Sequence, residues 1–132
     1  MTPAKMNKVE SAMRIALAFR EAFNKHDIET MLHLFSDDCT IETFHPAPDG
    51  LSIHEKDALS QYWQETFASH SKIKLDIEEI FGFGERCIVR WKLNWVDTEE
   101  KEIHLRGIDV YKTCNDLICE KYAYGKSGEI VR

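Results

Sequence analysis

The strongest strand signal in the chain is residues 102–113, EIHLRGIDVYKT, in which apolar and polar side chains alternate. Successive side chains of a β-strand point to opposite faces, so one face of this segment is mainly apolar. The side chains on that face are Ile103, Leu105, Gly107, Asp109 and Tyr111. Asp109 is the one charged residue among them. A carboxylate placed there loses hydration unless it is hydrogen-bonded, and desolvation disfavours its charged form.

Two interpretations of Asp109 stay open at this point. A carboxyl group beside a cavity is a candidate catalytic or ligand-binding group. It can equally be a structural acceptor that neighbouring backbone groups or tyrosine hydroxyls satisfy. The pattern alone does not choose between them.

The rest of the chain divides into helices followed by strands. Apolar residues at helical spacing predict helices over residues 7–24 and 55–69, with a short one between them that Asp27 caps and whose apolar face includes Phe35. Alternation and turn residues predict strands over 39–45, 72–81, 86–96, 102–113 and 117–124, with a loop at 46–52. Helices first and hairpin-linked strands afterwards are typical of an α+β fold with a mostly antiparallel sheet.

Composition limits the classes of protein to consider. The 132 residues are enough for a single domain, 1–132, and the net charge of −6 with 17 dispersed basic residues argues against nucleic acid or an anionic membrane as a partner. No apolar stretch is long enough to span a bilayer, and the N-terminal residues lack the apolar core of a signal peptide. We therefore expect a cytoplasmic protein whose four cysteines are free thiols.

Three segments resemble the nuclear transport factor 2-like superfamily, which contains the ketosteroid isomerases and the SnoaL-like polyketide cyclases. They are residues 19–43 (FREAFNKHDIETMLHLFSDDCTIET), residues 50–67 with the loop glycine and third helix, and residues 106–126 (RGIDVYKTCNDLICEKYAYGK). The resemblance implies three N-terminal helices packed in a curved, mostly antiparallel sheet, a cystatin-like cone that encloses a pocket. It is specific for the fold and weak for function, because one fold hosts many functions.

The resemblance places Asp109 where the isomerases hold the protonated aspartate of their oxyanion site. Phe19 lies where those enzymes carry a tyrosine, and Thr43 where they carry the general base, so steroid isomerisation is not expected. The SnoaL-like cyclases use an aspartate as acid and base without a metal. Asp109 as their counterpart would exchange a proton with a carbon acid next to a carbonyl.

His45 is the second catalytic candidate. It is two residues beyond Thr43 on the same face of the predicted strand, and imidazole titrates near neutral pH, so it could replace the missing base. The alternative is a solvated histidine that ends the strand beside Pro46. The six histidines show no metal-binding spacing, and we predict neither a metal nor a cofactor.

Aromatic residues dominate the predicted pocket and favour a flat or hydrophobic ligand. The residues expected to contact it are Phe19, Thr43, Tyr62, Trp63, Trp91, Tyr111 and Tyr124. The opposite sheet face mixes charged with apolar residues, which favours a homodimer through that face, although a fully solvated face is the alternative.

The sequence thus predicts a pocket protein that acts on a small hydrophobic carbonyl compound by cofactor-independent proton transfer, as an isomerase, cyclase or dehydratase does. Asp109 on an apolar face supports this hypothesis. The alternative is a non-catalytic module that binds a ligand or a partner protein, and the residues at Phe19 and Thr43 support that alternative.

Overall fold

The computed structural model describes residues 3–126 of the chain. Three helices come first, with two strands between the second and third helix, and four more strands follow. The helices are α1 (Pro3–Asn24), α2 (Ile28–His33) and α3 (Lys56–Ser69). The strands are β1 (Phe35–Glu42), β2 (Ser52–Ile53), β3 (Ser71–Phe83), β4 (Arg86–Val96), β5 (Glu102–Cys114) and β6 (Leu117–Gly125).

The six strands form one sheet in the order β2-β1-β6-β5-β4-β3. Consecutive strands from β3 to β6 pair as antiparallel hairpins, and β1 pairs with β6 in parallel. The helices cover one face of this sheet. The predicted α+β class, with three helices in a curved and mostly antiparallel sheet, is confirmed.

Apolar spacing explains how α1 packs. Ala12, Ala16, Phe19 and Phe23 recur at intervals of three and four residues and are all buried against the sheet. The predicted N-cap of α2 is also present, because the Asp27 carboxylate accepts a hydrogen bond from the backbone N–H of Thr30. None of the helices within residues 3–126 is long and apolar enough to cross a membrane.

The first strand differs from its prediction. Apolar spacing predicts Phe35 on the apolar face of the second helix, but α2 ends at His33 and β1 begins at Phe35. Phe35, Cys39 and Ile41 are buried, and the register against β6 shifts between Phe35 and Thr40. This irregularity hides the strand from an alternation pattern. The two-residue strand β2 lies at the end of the predicted loop and pairs with β1.

The prediction of four free thiols is wrong for one pair. Cys39 and Cys87 are free and buried, but Cys114 and Cys119 form a disulfide across the β5–β6 hairpin. The two-residue turn returns the chain directly, so the Cα atoms of the pair are 5.8 Å apart, inside the range that a disulfide spans.

Candidate functional site

A cavity of about 590 Å³ lies between the inner face of the sheet and the helices α1 and α3. Its walls are mainly apolar and aromatic, with few polar groups. Seven of the residues predicted to form a site line it: Phe19, Thr43, His45, Tyr62, Trp63, Trp91 and Asp109. The fold therefore brings together residues from α1, the β1 end, α3, β4 and β5.

Asp109 lies at the middle of β5, between Val89 of β4 and Ala123 of β6, and its exposed fraction is 4%. Its Oδ2 accepts a hydrogen bond from the Tyr111 hydroxyl at 3.3 Å. Its Oδ1 is buried and has no hydrogen-bond partner among the residues that the structure describes. A buried acceptor without a donor costs free energy, so this oxygen is a place where a ligand can supply the missing hydrogen bond.

Lys121 is a charged site residue that the sequence pattern did not indicate. Its Nζ lies 3.6 Å from Asp109 Oδ2, and its side chain is 14% exposed. The same Nζ lies 5.5 Å from the centre of the Phe19 ring and 5.9 Å from that of Tyr111. Aromatic faces attract a cation at such distances, so the ammonium is held between the rings and the carboxylate. Lys121 also lines the cavity.

A bulge in β6 turns Lys121 inward. Thr113 pairs with Ile118, whereas Lys112 pairs with Glu120, so Cys119 is an extra residue on β6. One extra residue exchanges the two faces of a strand beyond it. A signal for this was present in the sequence, because Ile118 and Ala123 are both apolar but an odd number of residues apart. Two such residues share a buried face only if a bulge lies between them.

The same bulge makes the predicted position of Tyr124 wrong. Tyr124 is 58% exposed and lies on the outer face of the sheet, not in the cavity. There it borders a depression of about 340 Å³ together with Arg90 and Arg106. A strand without a bulge would have placed it on the same face as Ile118.

Tyr111, which the sequence predicts to contact the ligand, does not line the cavity but lies beside Asp109. Its ring is buried at 2% exposure, and its hydroxyl donates to the carboxylate. Burial and the neighbouring Asp109 raise the pKa of Tyr111 well above its ordinary value. Tyr62 borders the cavity itself, and burial raises its pKa as well. Both phenols therefore stay neutral hydrogen-bond donors at physiological pH.

Thr43 fastens the loop at the edge of the cavity. Its Oγ1 donates to the backbone oxygen of His45 at 2.7 Å and accepts from the backbone N–H of Leu51 at 2.8 Å. The hydroxyl is thus engaged with the loop that follows β1. His45 borders the cavity with an exposed side chain, which leaves its imidazole in contact with solvent.

Trp91 supplies a second unsatisfied group. Its ring is 2% exposed, lines the cavity and packs against Phe44. Its Nε1, which can only donate, is buried without a hydrogen-bond partner in the described part of the chain. Two residues that line the cavity, Asp109 and Trp91, therefore each contain a buried polar atom without a hydrogen-bond partner among the described residues.

A metal centre would need several converging ligands. Among the side chains that the structure describes, no three His, Cys, Asp or Glu residues lie close enough together to hold a metal ion.

The helix-covered, curled sheet has the fold of the nuclear transport factor 2-like class of proteins. Within that class, the chain belongs to the SnoaL-like domain family, whose model matches residues 16–121. A search of curated protein sequences found no significant match.

Solved structures of this class superpose well on the chain. One is an NTF2-like protein of unknown function from Mesorhizobium loti, with 28% identity, TM-score 0.75, and 91% of this chain and 94% of that chain covered. Another is Rv0760c from Mycobacterium tuberculosis in complex with estradiol-17β-hemisuccinate, with 22% identity, TM-score 0.75, and 86% and 92% covered. A third is an LEH-like epoxide hydrolase from M. tuberculosis, with 14% identity, TM-score 0.75, and 89% and 84% covered. The last two are similar in fold alone.

Proposed function

We propose that this protein binds a small hydrophobic carbonyl compound in its cavity and moves a proton on it without a cofactor, as an isomerase, cyclase or dehydratase does. One observation carries the proposal. Asp109 lines the cavity, and its carboxylate oxygen Oδ1 is buried with no hydrogen-bond partner among the described residues. A natural protein tolerates such an oxygen where function requires it.

The chemistry follows from the two neighbours of Asp109. Lys121 and the Tyr111 hydroxyl both approach Oδ2, so Oδ1 is the oxygen that would accept a proton from a bound compound. A carbonyl compound with its α-carbon at Oδ1 would lose a proton to it. The Lys121 ammonium is the one lysine or arginine side chain among the described lining residues, and it would stabilise the negative charge that develops on the carbonyl oxygen.

The cavity walls support a flat, hydrophobic substrate. Phe19, Trp63 and Trp91 provide aromatic faces, and Trp91 Nε1 can donate to a second oxygen of the ligand. The fold accommodates such molecules, because Rv0760c holds an estradiol ester. In this proposal His45, at the exposed edge of the cavity, exchanges protons between the site and solvent.

A ligand screen with matched variants tests the proposal. Purified protein is mixed with aromatic, steroidal and polyketide-like ketones, and binding is measured as the rise in melting temperature. Exchange of the α-hydrogens for deuterium is then followed by NMR in D₂O for each ketone that binds. We expect Asp109→Asn to reduce exchange by about 10²–10⁴-fold, the usual contribution of a general base.

The control for this screen is Glu120→Gln, which removes a carboxylate of the same hairpin that does not line the cavity. Its exchange rate should equal that of the unchanged protein. Equal exchange in Asp109→Asn and the unchanged protein would refute the role of Asp109.

The second candidate is a ligand-binding module without catalysis. The observation that favours it is Thr43, whose hydroxyl bonds to the backbone of the loop and is no substitute for a base. Ketones that raise the melting temperature but show no accelerated exchange would favour this candidate over the enzyme.

We further propose that the protein is cytoplasmic and forms one domain over residues 1–132.

We also propose that the protein pairs with a second copy through the outer sheet face. The exposed aromatic ring of Tyr124 supports this pairing, and so do the two charges nearby, Arg106 and Glu78, which are 3.3 Å apart. A face with both signs of charge can match a rotated copy of itself. Sedimentation equilibrium should give a dimer, and Tyr124→Asp should weaken it; a monomer at all concentrations would refute the pairing.

A further inference from the structure

We propose that Lys121 is a nucleophile that forms an imine with the carbonyl carbon of the bound compound. The inference deepens the proposed function, on whose cavity and substrate class it rests. It assigns a covalent step to a residue that the proton-transfer scheme uses only for its charge.

The position of Lys121 carries this inference. The β6 bulge turns its side chain into the cavity, where it contacts the rings of Phe19 and Tyr111. The side chain is 14% exposed, so it is largely desolvated yet reachable from the cavity. Lysines that form Schiff bases in enzymes lie in such partly desolvated, apolar surroundings.

The hydrogen-bonding of Lys121 leaves its amine available. Nζ lies 3.6 Å from Asp109 Oδ2, which is an ion-pair separation and longer than an ordinary hydrogen bond. No hydrogen bond joins Nζ to another group in the described part of the chain. The other lysine of this hairpin, Lys112, is paired with Glu120 on the outer face and does not line the cavity.

Asp109 completes the step, because it can carry the proton that the amine must lose. Lys121 transfers a proton to Asp109, and the neutral amine attacks the carbonyl carbon to form a C–N bond. The carbinolamine oxygen receives two protons and leaves as water when the C–O bond breaks. The sum is one ammonium plus one carbonyl compound giving one iminium plus one water, and the carboxylate is regenerated.

The iminium explains why the two groups lie together. Its positive nitrogen accepts the electron pair of an adjacent C–H bond more readily than a carbonyl oxygen does. Asp109 Oδ1, which has no partner among the described residues, would then remove the α-proton and leave an enamine. Lys121 would be the electron acceptor and Asp109 the base for the same α-carbon.

Reductive trapping tests the assignment. The full-length protein is incubated with 2-naphthaldehyde, a flat aromatic carbonyl compound, and sodium cyanoborohydride, which reduces an imine to a stable amine. Intact mass and peptide mapping then locate the naphthylmethyl group. We expect one equivalent on Lys121 at a rate at least tenfold above that of any other lysine.

Two variants are compared in the same experiment. Lys121→Arg keeps a cation beside Asp109 but cannot form the imine, so it should lose the specific label. With a ketone that binds in the thermal screen, it should also slow α-hydrogen exchange at least tenfold; 2-naphthaldehyde has no α-hydrogen and reports only the imine. Lys112→Met removes the outer lysine of the hairpin and should label like the unchanged protein. Melting temperatures of both variants show that each is folded when it is tested.

The remaining outcomes separate this inference from the proposed function. Naphthaldehyde that raises the melting temperature without labelling Lys121 would overturn the imine and leave the cavity proposal intact. Labelling spread over surface lysines, or exchange at an unchanged rate in Lys121→Arg, would also overturn it. If naphthaldehyde neither binds nor labels the protein, that result counts against both proposals.

Discussion

Two lysine–carboxylate pairs join β5 to β6, one on each face of the sheet. On the inner face Lys121 lies 3.6 Å from Asp109, with side chains 14% and 6% exposed. On the outer face Lys112 lies 3.5 Å from Glu120, with side chains 33% and 24% exposed. The separations are nearly equal, so distance does not distinguish the two pairs. Burial and the surrounding groups do.

The difference lies in what each charge has besides its partner. Glu120 also accepts hydrogen bonds from Arg86 at 3.3 Å and from the Tyr122 hydroxyl at 2.8 Å, and water reaches all of them. Within residues 3–126, Asp109 accepts a hydrogen bond from Tyr111 and forms an ion pair with Lys121, and its Oδ1 has no hydrogen-bond partner there. Water can replace an exposed pair at little cost, whereas breaking a buried pair leaves an uncompensated charge.

Breaking the inner pair by mutation should have the largest effect on stability. Asp109→Ala leaves the Lys121 charge buried without a counter-charge, which we expect to lower the free energy of unfolding by about 3–5 kcal/mol. Urea denaturation at neutral pH measures this. Asp109→Ala combined with Lys121→Met should recover most of the loss, because no charge then remains buried. A loss below about 1 kcal/mol for Asp109→Ala alone would mean that the inner pair behaves as an exposed one.

Gly107 tests how tightly the inner face is packed. A Cβ at this position would lie 2.3 Å from the backbone oxygen of Tyr124 and 2.5 Å from the Trp91 ring. Gly107→Ala should therefore displace Trp91 and cost about 3 kcal/mol, at the upper end for overpacking. Thermal unfolding gives the stability, and tryptophan fluorescence reports the displaced ring.

Arg106→Ala, at the adjacent outward position, is the control for Gly107. Its ion pair with Glu78 is exposed, so the loss should stay below about 1 kcal/mol. Equal losses in the two variants would show that the faces do not differ in packing.

The pH dependence of stability sharpens the comparison further. Burial raises the pKa of Cys87, on the inner face beside Tyr111, from 9.0 to about 11. Above pH 9 the unfolded chain loses this thiol proton while the folded chain keeps it, so stability falls as the pH rises from 9 to 11. The loss should be on the order of 2 kcal/mol.

Denaturation in urea at pH 8 and pH 10.5 measures that loss. Cys87→Ala should make the fall smaller, and the buried Tyr111, whose pKa is also raised, accounts for part of what remains. An unchanged fall in Cys87→Ala would show that the thiol does not contribute.

The sequence predicted strand β5 of the hairpin better than strand β6 for a physical reason. Alternation over β5 predicted the inner face for Asp109 and Tyr111, and both are buried there because that strand is regular, although Tyr111 does not line the cavity. Alternation over β6 failed, because the extra residue at Cys119 exchanges its faces and reverses Lys121 and Tyr124. Periodicity describes a strand by itself, whereas a bulge is decided by pairing with its neighbour.

The outer pair should give the smallest effect of these changes. Lys112→Met removes one of the three partners of Glu120 found in the described part of the chain. The hydrogen bond from Tyr122, the largest cause of the lowered pKa of Glu120, is retained. We expect a change of about 0.5 kcal/mol or less in the free energy of unfolding, and the same affinity for cavity ligands. Urea denaturation and titration with 2-naphthaldehyde measure the two quantities. A lower ligand affinity in Lys112→Met would mean that the outer pair influences the cavity through the shared hairpin and that the two faces of the sheet are coupled.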